Sequence, residues 1–130
     1  MAVWYQDCNF SYIYAQMLSW DGEALWDEGG IAISEADNDQ VNFSFEFNED
    51  RTSAFITWED YRNGTDFEIF GEVIDLELGS SNNQDIQFSS DTTNQYNPTM
   101  ALVQDNEFLV VWEDERGYYN SDPLLINGVD

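Results

Sequence analysis

Apolar and polar residues alternate along short stretches through most of this chain. The clearest stretch is 41–47, VNFSFEF, in which every second residue is apolar and the apolar side chains share one face. Such alternation is typical of a half-buried β-strand. The same pattern, with turn residues between the stretches, predicts further strands at residues 3–6, 12–18, 31–34, 53–59, 66–75, 86–89, 96–102, 108–113 and 123–130.

No stretch of useful length has a helical period, so the predicted fold class is all-β. Residues 79–84 are predicted to form a polar loop. Residues 108–113, FLVVWE, are nearly all apolar, which predicts a strand that is buried on both faces.

A repeat of 54 residues is marked by Trp4, Trp58 and Trp112 (58 − 4 = 54 and 112 − 58 = 54). Strand-only repeats of roughly 40–50 residues are typical of β-propeller blades. The pattern predicts one all-β repeat domain over residues 1–130, with blades of four-stranded antiparallel sheets: a partial blade at 1–34, a complete blade at 41–89 and a partial blade at 96–130. Turn signals about every 8–12 residues would also suit a β-sandwich.

About two and a half blades cannot close a ring, because propellers have roughly 4–8 of them. The sequence opens within a repeat, which suggests a piece of a larger protein or a subunit that another copy completes. An open stack would expose strand edges and apolar faces. Self-association is therefore predicted, either as a dimer that completes a six-bladed ring or as a strand-exchanged filament.

Two segments carry a family resemblance: residues 58–75, WEDYRNGTDFEIFGEVID, and residues 112–119, WEDERGYY. Together with Asn-Pro-Thr-Met-Ala at 97–101 they resemble a family of bacterial secreted and surface proteins. Its repeats read Val-Trp-Glu-Asp-x-Arg-Asn-Gly, then Asp-Ile-Tyr-Gly-Gln, with an Asn-Pro-x-Val-Ala strand upstream. The resemblance implies β-propeller blades and an extracellular or cell-surface location. The first repeat departs from the pattern, with Gln6 and Cys8 where the later repeats have Asp and Arg.

The charge is strongly acidic: 27 Asp and Glu residues face three cations, Arg51, Arg62 and Arg116, for a net charge of −24. Such a chain repels nucleic acid and anionic membranes, and plausible partners are divalent cations, basic surfaces and neutral glycans. Simple solubility is the plain alternative. No apolar run is long enough for a membrane span, and the first residues lack the signal-peptide pattern.

The Asp60–Arg62 and Asp114–Arg116 pairs occupy the same position in the repeat. A carboxylate two residues from a guanidinium can form a bidentate ion pair. The structural interpretation is an arginine that ties a turn to its own or a neighbouring blade. The functional alternative is a pair of arginines that converge on a substrate carboxylate, as in sialidase-like propellers.

Two further groups of residues are candidate binding sites. The acidic turns gather oxygen ligands of the kind that calcium takes, although none fits an EF-hand loop; the candidate ligands are Asp37, Asp39, Asp50 and Asp105. Exposed aromatic rings could stack on sugars, but such rings more often fill space between sheets; the candidates are Trp20, Trp26, Tyr118 and Tyr119.

The chain has no histidine, which excludes Ser-His-Asp and Cys-His catalysis and imidazole metal sites, and its single cysteine excludes an intrachain disulfide. The predicted function is a non-catalytic extracellular binding or structural assembly module, with calcium as its only candidate cofactor and with glycans or proteins as candidate ligands. The alternative is a fragment of a glycan-acting, sialidase- or glycosidase-like propeller enzyme, since so many acids leave a catalytic carboxylate pair open.

Overall fold

The computed structural model describes residues 1–7, 9–81 and 84–116. This part of the chain is all-β, as the alternating pattern predicts, and no helix in it is long and apolar enough to span a membrane. Its strands are β1 (Ala2–Asp7), β2 (Ser11–Gln16), β3 (Ile31–Ser34), β4 (Gln40–Phe47), β5 (Ser53–Asp60), β6 (Glu68–Asp75), β7 (Ser80–Ser81), β8 (Ile86–Gln87), β9 (Gln95–Gln104) and β10 (Glu107–Asp114).

The strands form three antiparallel sheets, none of which closes on itself within the described ranges. The N-terminal sheet has the order β1-β2-β3. The central sheet has the order β4-β5-β6-β7, and β8 also pairs with β6. The C-terminal sheet consists of β9 and β10. Successive sheets are therefore built from successive copies of the repeat.

Two strands at the edge of the central sheet differ from the prediction. Ser80 and Ser81 pair with the end of β6, inside the predicted loop 79–84. β8 ends two residues earlier than predicted, at Gln87. Beyond it the Ser89 hydroxyl accepts the Ile69 N–H at 2.9 Å, so a side chain takes the place of a strand bond. The predicted strand at 123–130 lies outside the described residues.

The main core lies between the N-terminal and central sheets. Ala54, Ile56 and Trp58 point into it from β5 and have no exposed surface. Ile13 and Ile33 belong to the same cluster on the N-terminal sheet. Every second residue of β5 contributes, as the period of a strand requires.

The other face of the central sheet packs against the C-terminal sheet. Phe55 stacks on Phe108, with ring centroids 5.3 Å apart and planes inclined by 21°. On the same face Thr57 and Glu59 are 0 and 3% exposed. Because both faces of β5 are covered, all of its residues after Ser53 are buried.

The prediction that residues 108–113 are buried on both faces is wrong. β10 alternates between half-buried and exposed positions along its whole length. Phe108 packs against the central sheet, whereas Leu109 and Val111 are 56 and 48% exposed. In the described part of the chain, no further sheet lies on that outer face.

The local geometry repeats along with the sequence. Trp4 stacks with Tyr14 at 6.2 Å, and Trp58 stacks with Phe70 at 6.5 Å across the equivalent strand pair. The first strands of the central and C-terminal sheets both carry a register shift. Asn42 and Asn97 lie at these shifts with φ of 50° and 52°, a left-handed conformation that asparagine tolerates better than most residues.

Candidate functional site

The end of β5 carries the first predicted ion pair. Arg62 donates from Nε to Asp60 Oδ1 at 2.8 Å and from Nη2 to Asp60 Oδ2 at 2.6 Å, which is a bidentate arrangement. The Trp58 indole N–H also donates to Asp60 Oδ2, at 2.7 Å. Asp60 has no exposed surface. The carboxylate is thus buried with its oxygens engaged.

Arg62 has two further partners on the central sheet. Its Nη2 donates to Asp85 Oδ2 at 2.6 Å, and its guanidinium carbon lies 3.9 Å from the centre of the Phe70 ring. Burial opposes the charge on Arg62, but the hydrogen bonds to Asp60 and Asp85 outweigh it and raise the pKa of the guanidinium. This arginine ties the turn after β5 to the segment before β8.

Asp114 and Arg116 form the equivalent pair after β10. Arg116 Nε donates to Asp114 Oδ2 at 2.8 Å, and its backbone N–H donates to Asp114 Oδ1, also at 2.8 Å. A second carboxylate, Asp91, lies 3.8 Å from the Arg116 Nε. Arg116 is 64% exposed, against 28% for Arg62, so this pair is much more open to water.

Each arginine lines its own cleft between two successive sheets. Arg62 and Asp85 line a cleft of about 410 Å³ together with Ser34 and Glu35 of the N-terminal sheet. Arg116 lines an equivalent cleft of about 260 Å³ with Ser89 and other residues of the central sheet. The two clefts share no lining residue among those described. The structure therefore does not bring the two arginines to one centre, and each is engaged by carboxylates of the chain itself.

Glu68 adds a titratable group beside the Arg62 pair. It lies opposite Asp60 in the strand register and is 9% exposed. Burial, followed by the negative charges of Asp66 and Asp60, raises the pKa of Glu68, and Arg62 opposes this shift. Sequence reasoning missed this residue, because its pairing with Asp60 depends on the register of β5 and β6.

The acidic turns of the second and third repeats lie side by side. Glu49 N–H donates to the Asp105 carbonyl at 3.2 Å, and Asn48 Nδ2 donates to Asn106 Oδ1 at 2.9 Å. Asp50, Asp105 and their neighbours line a shared cleft of about 550 Å³. The predicted ligands Asp50 and Asp105 thus belong to adjoining turns, although they are far apart in the sequence.

The individual carboxylates of these turns have local hydrogen bonds. Asp50 Oδ1 accepts from the hydroxyl and the backbone N–H of Thr52, and these bonds lower the pKa of Asp50. Asp39 Oδ1 accepts from Ser11 N–H at 2.9 Å, and Asp37 lies two residues before it. Within residues 1–7, 9–81 and 84–116, no three His, Cys, Asp or Glu residues form a group that could hold a metal ion.

The aromatic candidates separate into two kinds. Trp20 lies in the turn after β2 and is fully exposed, at 102% of its reference surface. Trp26 instead packs against the core, and its indole N–H donates to the Leu76 carbonyl at 3.1 Å. Trp26 therefore fills space between sheets. Tyr118 and Tyr119 lie outside the described residues, as does Cys8.

Hydrogen bonds between sheets form a set that sequence reasoning missed. The Asn42 N–H donates to the Tyr5 hydroxyl at 2.7 Å, and the Asn97 N–H donates to Glu59 Oε1 at 2.6 Å. Acceptors Tyr5 and Glu59 are 54 residues apart (59 − 5), and donors Asn42 and Asn97 are 55 apart (97 − 42). The asparagines at the repeat spacing were the available signal.

A second bond repeats in the same way. Ser11 N–H donates to Asp39 Oδ1 at 2.9 Å, and Phe67 N–H donates to Asn94 Oδ1 at 3.0 Å. Asp39 and Asn94 are 55 residues apart (94 − 39). The N-terminal sheet therefore meets the central sheet through the same bonds by which the central sheet meets the C-terminal sheet.

Comparison with protein-family models, with curated proteins and with solved structures finds no match to this chain. The resemblance to the secreted and surface repeat family thus stays a prediction from the sequence motifs.

Proposed function

We propose that this chain is a non-catalytic, extracellular structural or binding module, built from propeller-type blades and working through assembly. The observation that carries the proposal is the pair of inter-sheet hydrogen bonds that recurs at both sheet junctions. Bonds that recur at the repeat spacing mean that the stacking of one sheet on the next is encoded in the repeat itself. A blade-like stack is what such a rule generates when it is applied again.

The arginines support a structural rather than a catalytic role. Arg62 is bound by two carboxylates and covered by a ring, and Arg116 is bound by Asp114. A substrate carboxylate would have to displace these partners. The glycan-acting enzyme alternative also requires the two arginines to converge, and the described residues place them in separate clefts.

The solution mass tests the assembly function. We expect size-exclusion chromatography with multi-angle light scattering to give a discrete dimer, because two copies would supply the six blades of a closed ring. The measurement is repeated with calcium and with a chelator, since the acidic turns are the candidate cation sites. A monomer at all concentrations would contradict the assembly function, and a mass that grows with concentration would favour the filament.

Trp20 is the residue to test for ligand binding. A fully exposed indole at a turn has an open face on which a sugar ring can stack. We expect Trp20→Ala to lose any glycan retention that the parent chain shows on a neutral glycan array. Trp26→Ala is not a suitable comparison because it damages the core, so Leu78→Ala, at another exposed site, serves as the control.

A further inference from the structure

The outer face of the C-terminal sheet has the composition of an interface. This surface, called the C face, consists of exposed residues that share one side of β9 and β10. Only one of them, Glu113, is charged, in a chain with 27 acidic residues. The residues of the C face are Thr99, Ala101, Val103, Leu109, Val111 and Glu113.

The equivalent surface of the central sheet is buried. Leu109, Val111 and Glu113 correspond to residues 54 positions earlier, which are Phe55, Thr57 and Glu59. Those three are 7, 0 and 3% exposed, because the C-terminal sheet covers them. The C face is thus the copy of a surface on which this chain already stacks another sheet.

The opposite end of the stack has a second open surface, called the N face. It contains Ala2, Trp4, Tyr12 and Tyr14, which share the outer side of β1 and β2 and include no charge. Trp4 and Tyr14 are half-buried, whereas their equivalents in the central sheet, Trp58 and Phe70, are 0 and 6% exposed. The N-terminal sheet covers that equivalent pair.

From these two surfaces we infer that the C face is a docking site for the N face of a second copy of this chain. Surfaces of these two kinds meet twice inside one chain, so the partner is specified by an interface that already exists. The contact is head-to-tail, since the two surfaces differ. Two copies placed in this way form two identical contacts and close on themselves. This inference rests on the proposed assembly function and names its partner and its surfaces.

Single-face variants test the docking. Leu109→Glu places a charge in the C face, and Trp4→Glu places one in the N face; Ala2→Glu is a milder second choice for the N face. Leu78→Glu is the matched control, because Leu78 is 75% exposed and lies on neither face. Circular dichroism and thermal unfolding establish that each variant folds before its mass is measured.

We expect the parent chain and Leu78→Glu to be dimers, and Leu109→Glu and Trp4→Glu alone to be monomers. An equimolar mixture of the two face variants should regain a dimer, because one intact C face then meets one intact N face. Dimers of either folded face variant alone would overturn the head-to-tail contact while leaving assembly intact. A monomeric parent chain would overturn the assembly function and the docking with it.

Discussion

Trp58 is the largest side chain without exposed surface, and it stacks on Phe70 beneath the N-terminal sheet. Trp58→Ala leaves a cavity that the surrounding strands cannot fill, so we expect it to lower the free energy of unfolding by about 3–5 kcal/mol. Trp4→Ala at the equivalent, half-buried position is the control and should cost less. Urea denaturation measures both, and equal losses would contradict the difference in burial.

Gly79 lies at a turn where a side chain has no room. Its φ is +60°, and a methyl group on its Cα would collide with the Trp26 indole ring. Gly22 has φ +85° but open space around it, so Gly22→Ala measures the backbone strain alone. We expect Gly22→Ala to cost about 1–2 kcal/mol and Gly79→Ala to cost clearly more in thermal unfolding. A similar loss in both would mean that Trp26 moves aside freely.

At the scale of elements, Arg62 fastens the turn after β5. Removing it leaves Asp60, which has no exposed surface, without its main counter-charge. We expect Arg62→Ala to cost about 3 kcal/mol, near the lower end for a broken buried pair. Arg116→Ala is the matched control, and its exposed pair should be worth less than about 1 kcal/mol. Similar losses on urea denaturation would show that burial does not separate the two pairs.

The junction between the central and C-terminal sheets depends on Glu59. Its Oε1 accepts from Asn42 Nδ2 at 2.8 Å and from the Asn97 N–H at 2.6 Å. Glu59→Ala leaves the Asn97 N–H without its acceptor, at a cost of about 1–3 kcal/mol. Glu113→Ala, at the exposed equivalent position, is the control and should cost less. Faster hydrogen exchange of the Asn97 amide in Glu59→Ala would locate the damage, and unchanged exchange would contradict it.

The sequence predicts the strands well where a strand has one polar and one apolar face. Alternation in 41–47 and the Trp58 segment places β4 and β5 to within one residue of the observed bounds. The two-residue strand β7 was missed, because pairing of Ser80 and Ser81 depends on β6 and not on their own composition. The exposure of Leu109 was also missed, since an apolar run does not reveal whether a further sheet covers it.

The candidate sites divide in the same way. Asp60 and Arg62 are two residues apart on one chain segment, so their pairing follows from local geometry. The partner Asp85 and the covering ring of Phe70 come from other segments, and only the register of the sheet brings them to Arg62. The Glu59–Asn97 bond likewise joins two sheets, and no local pattern specifies it.

For the whole molecule, a net charge of −24 sets how stability responds to ions. Crowded carboxylates repel one another in the folded state, and salt screens that repulsion over a Debye length of about 10 Å at 0.1 M. We expect the urea midpoint to rise between about 20 mM and 500 mM NaCl, where the Debye length falls several-fold. A flat or falling midpoint would mean that repulsion is not a significant cost.

Divalent ions then separate screening from a specific site. At matched ionic strength, a calcium site in the adjoining turns of Asp50 and Asp105 requires calcium to raise the midpoint further than magnesium does, since calcium accepts the irregular oxygen sets of protein turns and magnesium resists losing its waters. Asp50→Asn and Asp105→Asn should then remove that difference, whereas Asp66→Asn, in an acidic turn elsewhere on the central sheet, should keep it. Equal effects of the two ions would contradict the calcium prediction and leave charge screening as the whole response, because screening depends on charge and concentration and not on which divalent ion supplies them.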